Sequence, residues 1–358
     1  MKAVDGFIRR RHKVIATVLA RYERRIAQQQ HGRAIAAPQI DLSGNTIRNF
    51  NNGGGMRIGI WCGGIGDSAN PEWMRVAAQT AENSGFSSLW LGEHTVLFDS
   101  YPLSRSHSKN EDEKKGGFEG DAAIPVPTTP IVDPLTTLAW LAAQTRSIEL
   151  GTSIVILPQH NPVILAKSTA TLDLLSNGRV ALGVGMGWSV EEYQACGVPW
   201  SGRGRRMDEY ILALRSLWGE GASTFEGETV NFTNAYSFPK PVQRHVPIVM
   251  GGESEAMMRR IARYGDGWLA FNMPTDEAPK AVRKLHDWTR ENGRDPSALR
   301  LIVAVFNGTT ADDMCRYRDA GFTEFYLIAA NDISADVAAL PADIDRFADR
   351  FVNVAAKL

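Results

Sequence analysis

From Met56 onward, short runs of β-branched and apolar residues alternate with longer stretches in which apolar residues recur every three or four positions. The first pattern is that of buried strands, the second that of helices with one face on a core. It predicts strands at 57–62, 87–92, 148–156, 179–186, 247–251, 267–271, 299–306 and 323–329. Helices are predicted at 71–84, 134–145, 161–176, 204–219, 254–264, 276–292, 311–320 and 341–356. Asn70-Pro71, Asn161-Pro162 and Thr275-Asp276-Glu277 supply start signals.

Eight β-then-α units in about 300 residues are what a closed (β/α)8 TIM barrel needs. A doubly wound sheet is the runner-up. Two segments exceed plain connections: 93–133 after the second strand, and 220–246 between the fourth helix and the fifth strand. Long loops in compact domains are usually functional, so both are lid candidates. The first is polar at its middle and proline-rich on its return, which predicts a mobile tip on a stiffer arm.

The fourth strand carries the clearest question. In "RVALGVGMGWSVEEY" the glycines Gly183, Gly185 and Gly187 stand at every second position. A dinucleotide loop needs G-x-G-x-x-G opening a helix, and this spacing fails it. Alternate residues of a strand share a face, so Ala181 and the three glycines form a bare row, while Val180, Leu182, Val184 and Met186 form the apolar face that packs on helices. A row of glycines suggests that another group comes close to the backbone. Placed at the carboxyl end of a barrel strand, where active sites lie, it predicts an open slot for a flat ligand; a tight crossing with nothing bound is the bland alternative.

Other strand ends point the same way. "LGEHT" puts Glu93 and His94 just beyond the second strand. In "LGTSIVILPQHNP", Gly151-Thr152-Ser153 breaks the apolar register and predicts a bulge. "PIVMGGESEAMMRR" ends a strand at Gly251-Gly252 and opens a helix at Glu253-Ser254, leaving amides at a positive dipole end that suits phosphate; Ser254 also reads as a plain N-cap. Glu191 and Glu192 begin a helix and read as a solvated charge pair.

Composition adds limits. No apolar run approaches the ~18 residues of a membrane span, so no stable membrane insertion is expected. Cys62, Cys196 and Cys315 are scattered, which argues against disulfides and a structural metal site and fits a reducing cytoplasm. The net charge of −1 conceals an asymmetry: residues 1–55 hold ten Lys/Arg and three Asp/Glu, the remainder 29 and 37. Ile8, Val14, Ile15, Val18, Leu19, Tyr22 and Ile26 recur among arginines as a basic amphipathic helix, suited to anionic lipid or nucleic acid or to an organellar transit segment. The alternative is a non-native or disordered extension, since Gly-Gly before Met56 is what an in-frame ribosome-binding site yields. The domain of interest is 56–358, for which a small-molecule substrate and no nucleic acid is expected.

Taken in order, "SLWLGEH", "DPLTTLAWLAAQT", "LGTSIVILPQHNPVILAKSTATLDLLSNGRVALGVGMGWSVEEYQACGVPW", "RGRRMDEY" and "PIVMGGESEAMMRRIARYGDGW" resemble the bacterial luciferase-like monooxygenase superfamily, particularly its deazaflavin (coenzyme F-420)-dependent oxidoreductase branch. The resemblance runs from Met56 to the C-terminus and implies a redox cofactor at the carboxyl-terminal face of the barrel. It implies a non-prolyl cis peptide at Ser153–Ile154 behind the cofactor ring, with Glu93 counted among the cofactor-binding residues. His94 matches a histidine at the reactive edge; Met186, Gly187 and Trp188 match residues lining the pocket; Gly251, Gly252 and Ser254 fall in the phosphate region. Where some sugar-phosphate-oxidising members have a glutamate after the glycine, this chain has Trp188, which puts that substrate in doubt. The implied activity is hydride transfer between coenzyme F-420 and an organic substrate, with the cofactor's polyglutamate tail in a basic groove drawn from Arg203, Arg205, Arg206, Arg259 and Arg260. An FMN-dependent monooxygenase using O2 and a non-catalytic flavin-binding barrel are the alternatives. Members are often dimeric, so a homodimer is a candidate assembly.

Overall fold

The computed structural model describes residues 56–61, 63–107, 125–271, 273–329 and 332–358. The N-terminal extension 1–55, with its expected basic helix, and residues 108–124 lie outside the described residues, as does Cys62; of the expected mobile tip at 104–117 only 104–107 are described, as the end of a short helix.

The parallel strands are β1 (Arg57–Trp61), β2 (Ser88–Leu91), β3 (Glu149–Thr152) with its continuation β4 (Val155–Ile156), β5 (Val180–Gly185), β8 (Ile248–Gly251), β9 (Gly267–Ala270), β10 (Arg300–Phe306) and β11 (Glu324–Ile328). Their order is β3-β2-β1-β11-β10-β9-β8-β5-β4, and β3 also pairs with β5 through Leu150 and Val180, which closes the sheet into an eight-position barrel. Between the strands run α1 (Pro71–Asn83), α3 (Pro134–Gln144), α4 (Pro162–Leu175), α6 (Arg203–Trp218), α7 (Glu255–Tyr264), α8 (Ala278–Glu291), α9 (Ala311–Ala320) and α10 (Leu340–Phe347). This is the expected (β/α)8 TIM barrel.

Local chemistry explains the helix starts. Asn70 accepts from the amides of Glu72 and Trp73, and Asn161 from those of Val163 and Ile164, each with proline as the first helical residue. The expected start at Thr275 is displaced to Ala278, because the Pro274 carbonyl takes the Glu277 and Ala278 amides in a turn. The last predicted helix breaks after Phe347 into a π turn at Ala348–Val352.

Side chains divide by strand face. Val180, Leu182 and Val184 join the apolar layer between barrel and helices. Ala181 faces inward with Trp90, Val249, Leu269, Ile302, Ala304 and Tyr326, and on this inner cluster rest the half-buried Trp61, Phe271, Phe306 and Ile328. Interior positions of such barrels are packed with side chains, and here aliphatic and aromatic residues share them. At the amino-terminal end, Arg300 bridges Glu149 (2.8 Å) and Glu324 (2.7 Å), and Arg57 contacts the same two carboxylates at 3.4 and 3.2 Å.

Two elements went unpredicted: the short helix α2 (Pro102–His107) after β2, and an antiparallel hairpin, β6 (Ser223–Glu226) with β7 (Asn231–Ala235), within 220–246; the helix expected to begin at Glu191 and Glu192 is the short α5 (Val190–Ala195) after β5. The hairpin stacks Phe225 on Phe232 at 6.0 Å, and Glu209 of α6 accepts from the Glu228 and Thr229 amides. This segment is not a lid over the carboxyl-terminal face. A connection from helix to strand returns to the amino-terminal end of the barrel, and Gln243 there donates to the carbonyl of Val180, the first residue of β5.

Candidate functional site

The carboxyl ends of the strands gather most of the predicted site residues. The third strand breaks as expected: Ser153 donates to the Leu91 carbonyl at 2.7 Å, and the Ser153–Ile154 peptide is cis. Both residues are half-buried at the mouth of the barrel.

The glycine row receives this bulge. A methyl group on Gly183 would collide with the Thr152 carbonyl oxygen, one on Gly185 would sit 2.5 Å from Ile154 Cδ1, and one on Gly187 would sit 2.8 Å from Ile156 Cγ2. A methyl group on Gly251 of β8 would likewise sit 3.0 Å from Ile154 Cγ2. The expected empty slot is therefore corrected. The inference of close approach holds, but the approaching group is the neighbouring strand's own backbone and Ile154.

Glu93 and His94 leave β2 in different directions. The Glu93 carboxylate accepts from the Ile156 amide at 2.6 Å and contacts His160 Nε2 at 2.9 Å, so it braces the bulge from below. Burial pulls the His160 imidazole downward, but the hydrogen bond and charge of Glu93 outweigh it and hold the pKa above the ordinary value. His94 turns to the mouth. Its Nδ1 lies 3.2 Å from Glu192 Oε2, and its ring stands edge-on to Trp188 with centroids 5.9 Å apart. Trp188 also packs on Tyr101 at 4.8 Å, which places the indole as a wall between the histidine and the segment after β2.

Glu191 and Glu192 are not a solvated pair, because both lie buried, at 9% and 0% exposure. Ser189 caps α5 by accepting from the Glu192 amide, which frees the glutamate to turn inward and accept from Thr95 N at 2.6 Å. Glu191 accepts from the Leu103 amide at 2.8 Å and from the Ser104 hydroxyl. Burial pushes its carboxyl upward, but the Ser104 and Leu103 hydrogen bonds prevail and hold it below the ordinary range. Two buried carboxylates on one short helix thus fasten residues 94–104 over the face. Sequence reading missed this pair and Tyr101. The available signal was S-x-x-E at 189–192, a capping-box pattern whose acid lies within reach of a polar loop.

The remaining predicted residues divide. Met186 is half-buried at the mouth, and its carbonyl accepts from the Tyr193 hydroxyl at 2.6 Å. Gly187 turns left-handed at φ 62° to carry the chain into Trp188. Gly252 is exposed with φ 125°, its carbonyl accepts from Trp268 Nε1 at 2.9 Å, and Ser254 caps α7 by accepting from Met257 N. The plain N-cap reading of Ser254 therefore holds, and the exposed amino-terminal turn of α7 stays beside it. Most arginines of the expected basic groove have partners within the chain. Arg205 pairs with Glu228, Arg259 with Glu255 and Arg260 with Asp208, while Arg206 is buried and donates to the Pro199 carbonyl. Arg203 and Arg206 have no carboxylate partner among the described residues, and the Arg203 guanidinium stacks on Trp200 at 3.6 Å.

No helix among the described residues is long and apolar enough to cross a membrane. A model of the luciferase-like monooxygenase family matches residues 56–342. The chain is 36% identical over 274 residues to an uncharacterized protein of Mycobacterium tuberculosis, spanning 76% of this chain and 91% of that one. It is 33% identical over 187 residues to the pyrimidine monooxygenase RutA of Allorhizobium ampelinum, half of each chain. Among solved structures, an F-420-dependent secondary alcohol dehydrogenase in complex with an F-420–acetone adduct superposes with TM-score 0.65 at 19% identity, over 84% of this chain and 99% of that one. The long-chain alkane monooxygenase LadA superposes with TM-score 0.66 at 15% identity, over 84% and 90%.

Proposed function

The chain belongs to the luciferase-like monooxygenase family, and from that premise we propose that it is an oxidoreductase acting on a small organic molecule at the carboxyl-terminal mouth of the barrel. Coenzyme F-420 is the proposed cofactor; when bound, it supplies hydride transfer to or from the substrate. The observation that carries this reading is the half-exposed Ser153–Ile154 edge at the carboxyl ends of the strands, with the half-buried Trp61 and Ile328 resting on the inner cluster and Trp188 beside His94. A flat apolar ring fits that surface, and the bulge behind it cannot retreat, because Gly183, Gly185 and Gly251 already enclose it. The exposed turn at Gly252 and Ser254 would hold phosphate.

His94 is the proposed catalytic residue. With Nδ1 against Glu192, Nε2 is the nitrogen that holds or delivers a proton at the reacting atom. Trp188 limits the ring's rotation and keeps water from that side. The protein is proposed to work in the cytoplasm, and as a homodimer.

A second reading, an FMN-dependent monooxygenase using O2, is favoured by one observation: four of the five arginines expected to receive a polyglutamate tail are occupied within the chain. The similarity to RutA points the same way. Titrating the purified protein separately with F-420 and FMN, and following absorbance and fluorescence, decides between them. A spectrum unchanged by either cofactor overturns the reading. His94→Ala retaining wild-type turnover at full cofactor occupancy removes the catalytic role.

A further inference from the structure

A cavity of about 270 Å3 opens on the β9–β10 side of the barrel mouth, lined by Phe271, Met273, Pro274, Ala304, Phe306, Thr309 and Tyr317. One small side chain, Ala304, forms part of its wall. Along β10 the inward positions run Ile302, Ala304, Phe306, and the first two lie in the inner cluster with Phe306 packed upon it. Alanine leaves empty the volume that a branched residue would fill, directly beneath two rings. Those rings, Phe271 and Phe306, stand perpendicular at 88° with centroids 5.8 Å apart.

Two polar groups of the lining already have partners within it. The Tyr317 hydroxyl donates to the Met273 carbonyl at 2.6 Å, and Thr309 Oγ1 accepts from the Phe306 amide at 2.9 Å. Burial first, and then the charges of Asp313 and Glu253, push the Tyr317 phenol upward, so it stays neutral. None of the seven lining residues carries a charge. A charged ligand would lose its hydration there with no partner to replace it, at a cost of several kcal/mol. A dry apolar cavity of about 150 Å3 accepts benzene, so this one has room for roughly ten non-hydrogen atoms.

We infer that this cavity is the substrate subsite and that the substrate presents to it a neutral, largely apolar ring of one or two fused cycles, held edge and face by Phe271 and Phe306 over Ala304. The inference rests on the oxidoreductase reading above, whose substrate class it supplies. It sets aside carboxylates, phosphorylated sugars and polar heterocycles as the group bound here. Edge-to-face aromatic contacts would add about 0.5–1.5 kcal/mol each to the burial of the ring.

The test is calorimetric titration of the full chain, with and without cofactor, using three probes of similar size: indole, benzoate and uracil. The expected result is one indole site per chain, with benzoate and uracil weaker by about tenfold or more. Ala304→Leu, which fills the cavity, should weaken indole by a similar factor of about ten. If the leucine variant does not fold by its melting curve, Ala304→Val is read in its place. Wild-type protein that takes up no indole, a folded Ala304→Leu that binds it undiminished, or preference for benzoate or uracil overturns the inference. Cofactor titration on the same samples keeps the two readings apart: indole uptake without any cofactor response defeats only the redox reading, and cofactor response without indole uptake defeats only this one.

Discussion

Glu192 grips both ends of the turn that carries His94: one carboxylate oxygen lies 3.2 Å from His94 Nδ1, and the other accepts from the Thr95 amide at 2.6 Å. The glutamate is fully buried and sits on α5, immediately beyond the tryptophan that the imidazole faces. Histidine, indole and carboxylate are therefore one mechanical unit. Removing a buried acceptor that serves two donors costs about 1–3 kcal/mol, so Glu192→Leu is expected to lower the urea midpoint by that order. A general acid or base contributes about 10²–10⁴ in rate, and His94→Ala should lose turnover on that scale. If Glu192 acts through His94, the double variant His94→Ala/Glu192→Gln loses no more kcat than His94→Ala alone. Losses that multiply would assign Glu192 an independent role.

The glycines of β5 predict an ordered set of stabilities. At Gly183 the colliding atom is the Thr152 carbonyl oxygen, which is backbone and fixed by its strand. At Gly185 the colliding atom is the terminal methyl of Ile154, which can rotate. Overpacking typically costs about 1–3 kcal/mol, more where nothing can yield. Gly183→Ala should therefore fail to fold or melt far below the wild type, while Gly185→Ala stays folded with a smaller loss. Equal midpoints in thermal denaturation would mean that the bulge does not fill the row.

Much of this was legible in the chain. Period-two apolar runs with Asn-Pro starts located the barrel strands and most of the helices, because both signals are local. The bulge showed as a broken register at Gly151-Thr152-Ser153, and the glycine row showed as close approach. What filled the row was not legible. The Thr152 carbonyl reaches Gly183 across 31 residues, and no spacing rule names the partner in a long-range contact. The same limit hid Glu191 and Glu192, whose burial is decided by α2 and the turn after β2. The hairpin at 220–246 escaped because its alternating strands are largely exposed.

At the opposite end of the barrel, Arg300 is the hub of the buried ion cluster. Glu149, Glu324 and Arg57 surround it with side-chain exposures of 3%, 5% and 14%. Breaking such a cluster from one side leaves carboxylates buried without compensation and costs about 3–5 kcal/mol. Arg300→Met should show that loss in urea denaturation at neutral pH. Burial raises the Glu324 carboxyl, but Arg300 and Arg57 outweigh it and hold its pKa below the usual value of 4.5. Stability from a depressed carboxylate is present above the unfolded pKa and lost as pH falls through the folded one. Wild-type stability should therefore decline below pH 4.5, and Arg300→Met should flatten that decline.

The Glu93–His160 contact carries the opposite sign. Burial lowers the imidazole, but the hydrogen bond and charge of Glu93 raise it further, so the folded pKa stands above the ordinary 6.5. The folded protein then binds the proton more tightly than the unfolded chain does. Stabilisation from such a group is complete below the unfolded pKa and disappears as pH rises through the folded value. The loss should appear as a falling urea midpoint on the alkaline side of pH 6.5, with Glu93 still held by the Ile156 amide at 2.6 Å. His160→Asn removes the titrating group and should abolish the slope. Glu93→Gln keeps an acceptor for Ile156 but takes away the charge, so it should bring the folded pKa down and remove most of the slope as well. Because Ile156 also closes over Gly187, next to Trp188, the same titration should register as a change in indole fluorescence at the mouth. A midpoint that does not move across this interval in the wild type, or one that moves equally in His160→Asn, would place the proton elsewhere.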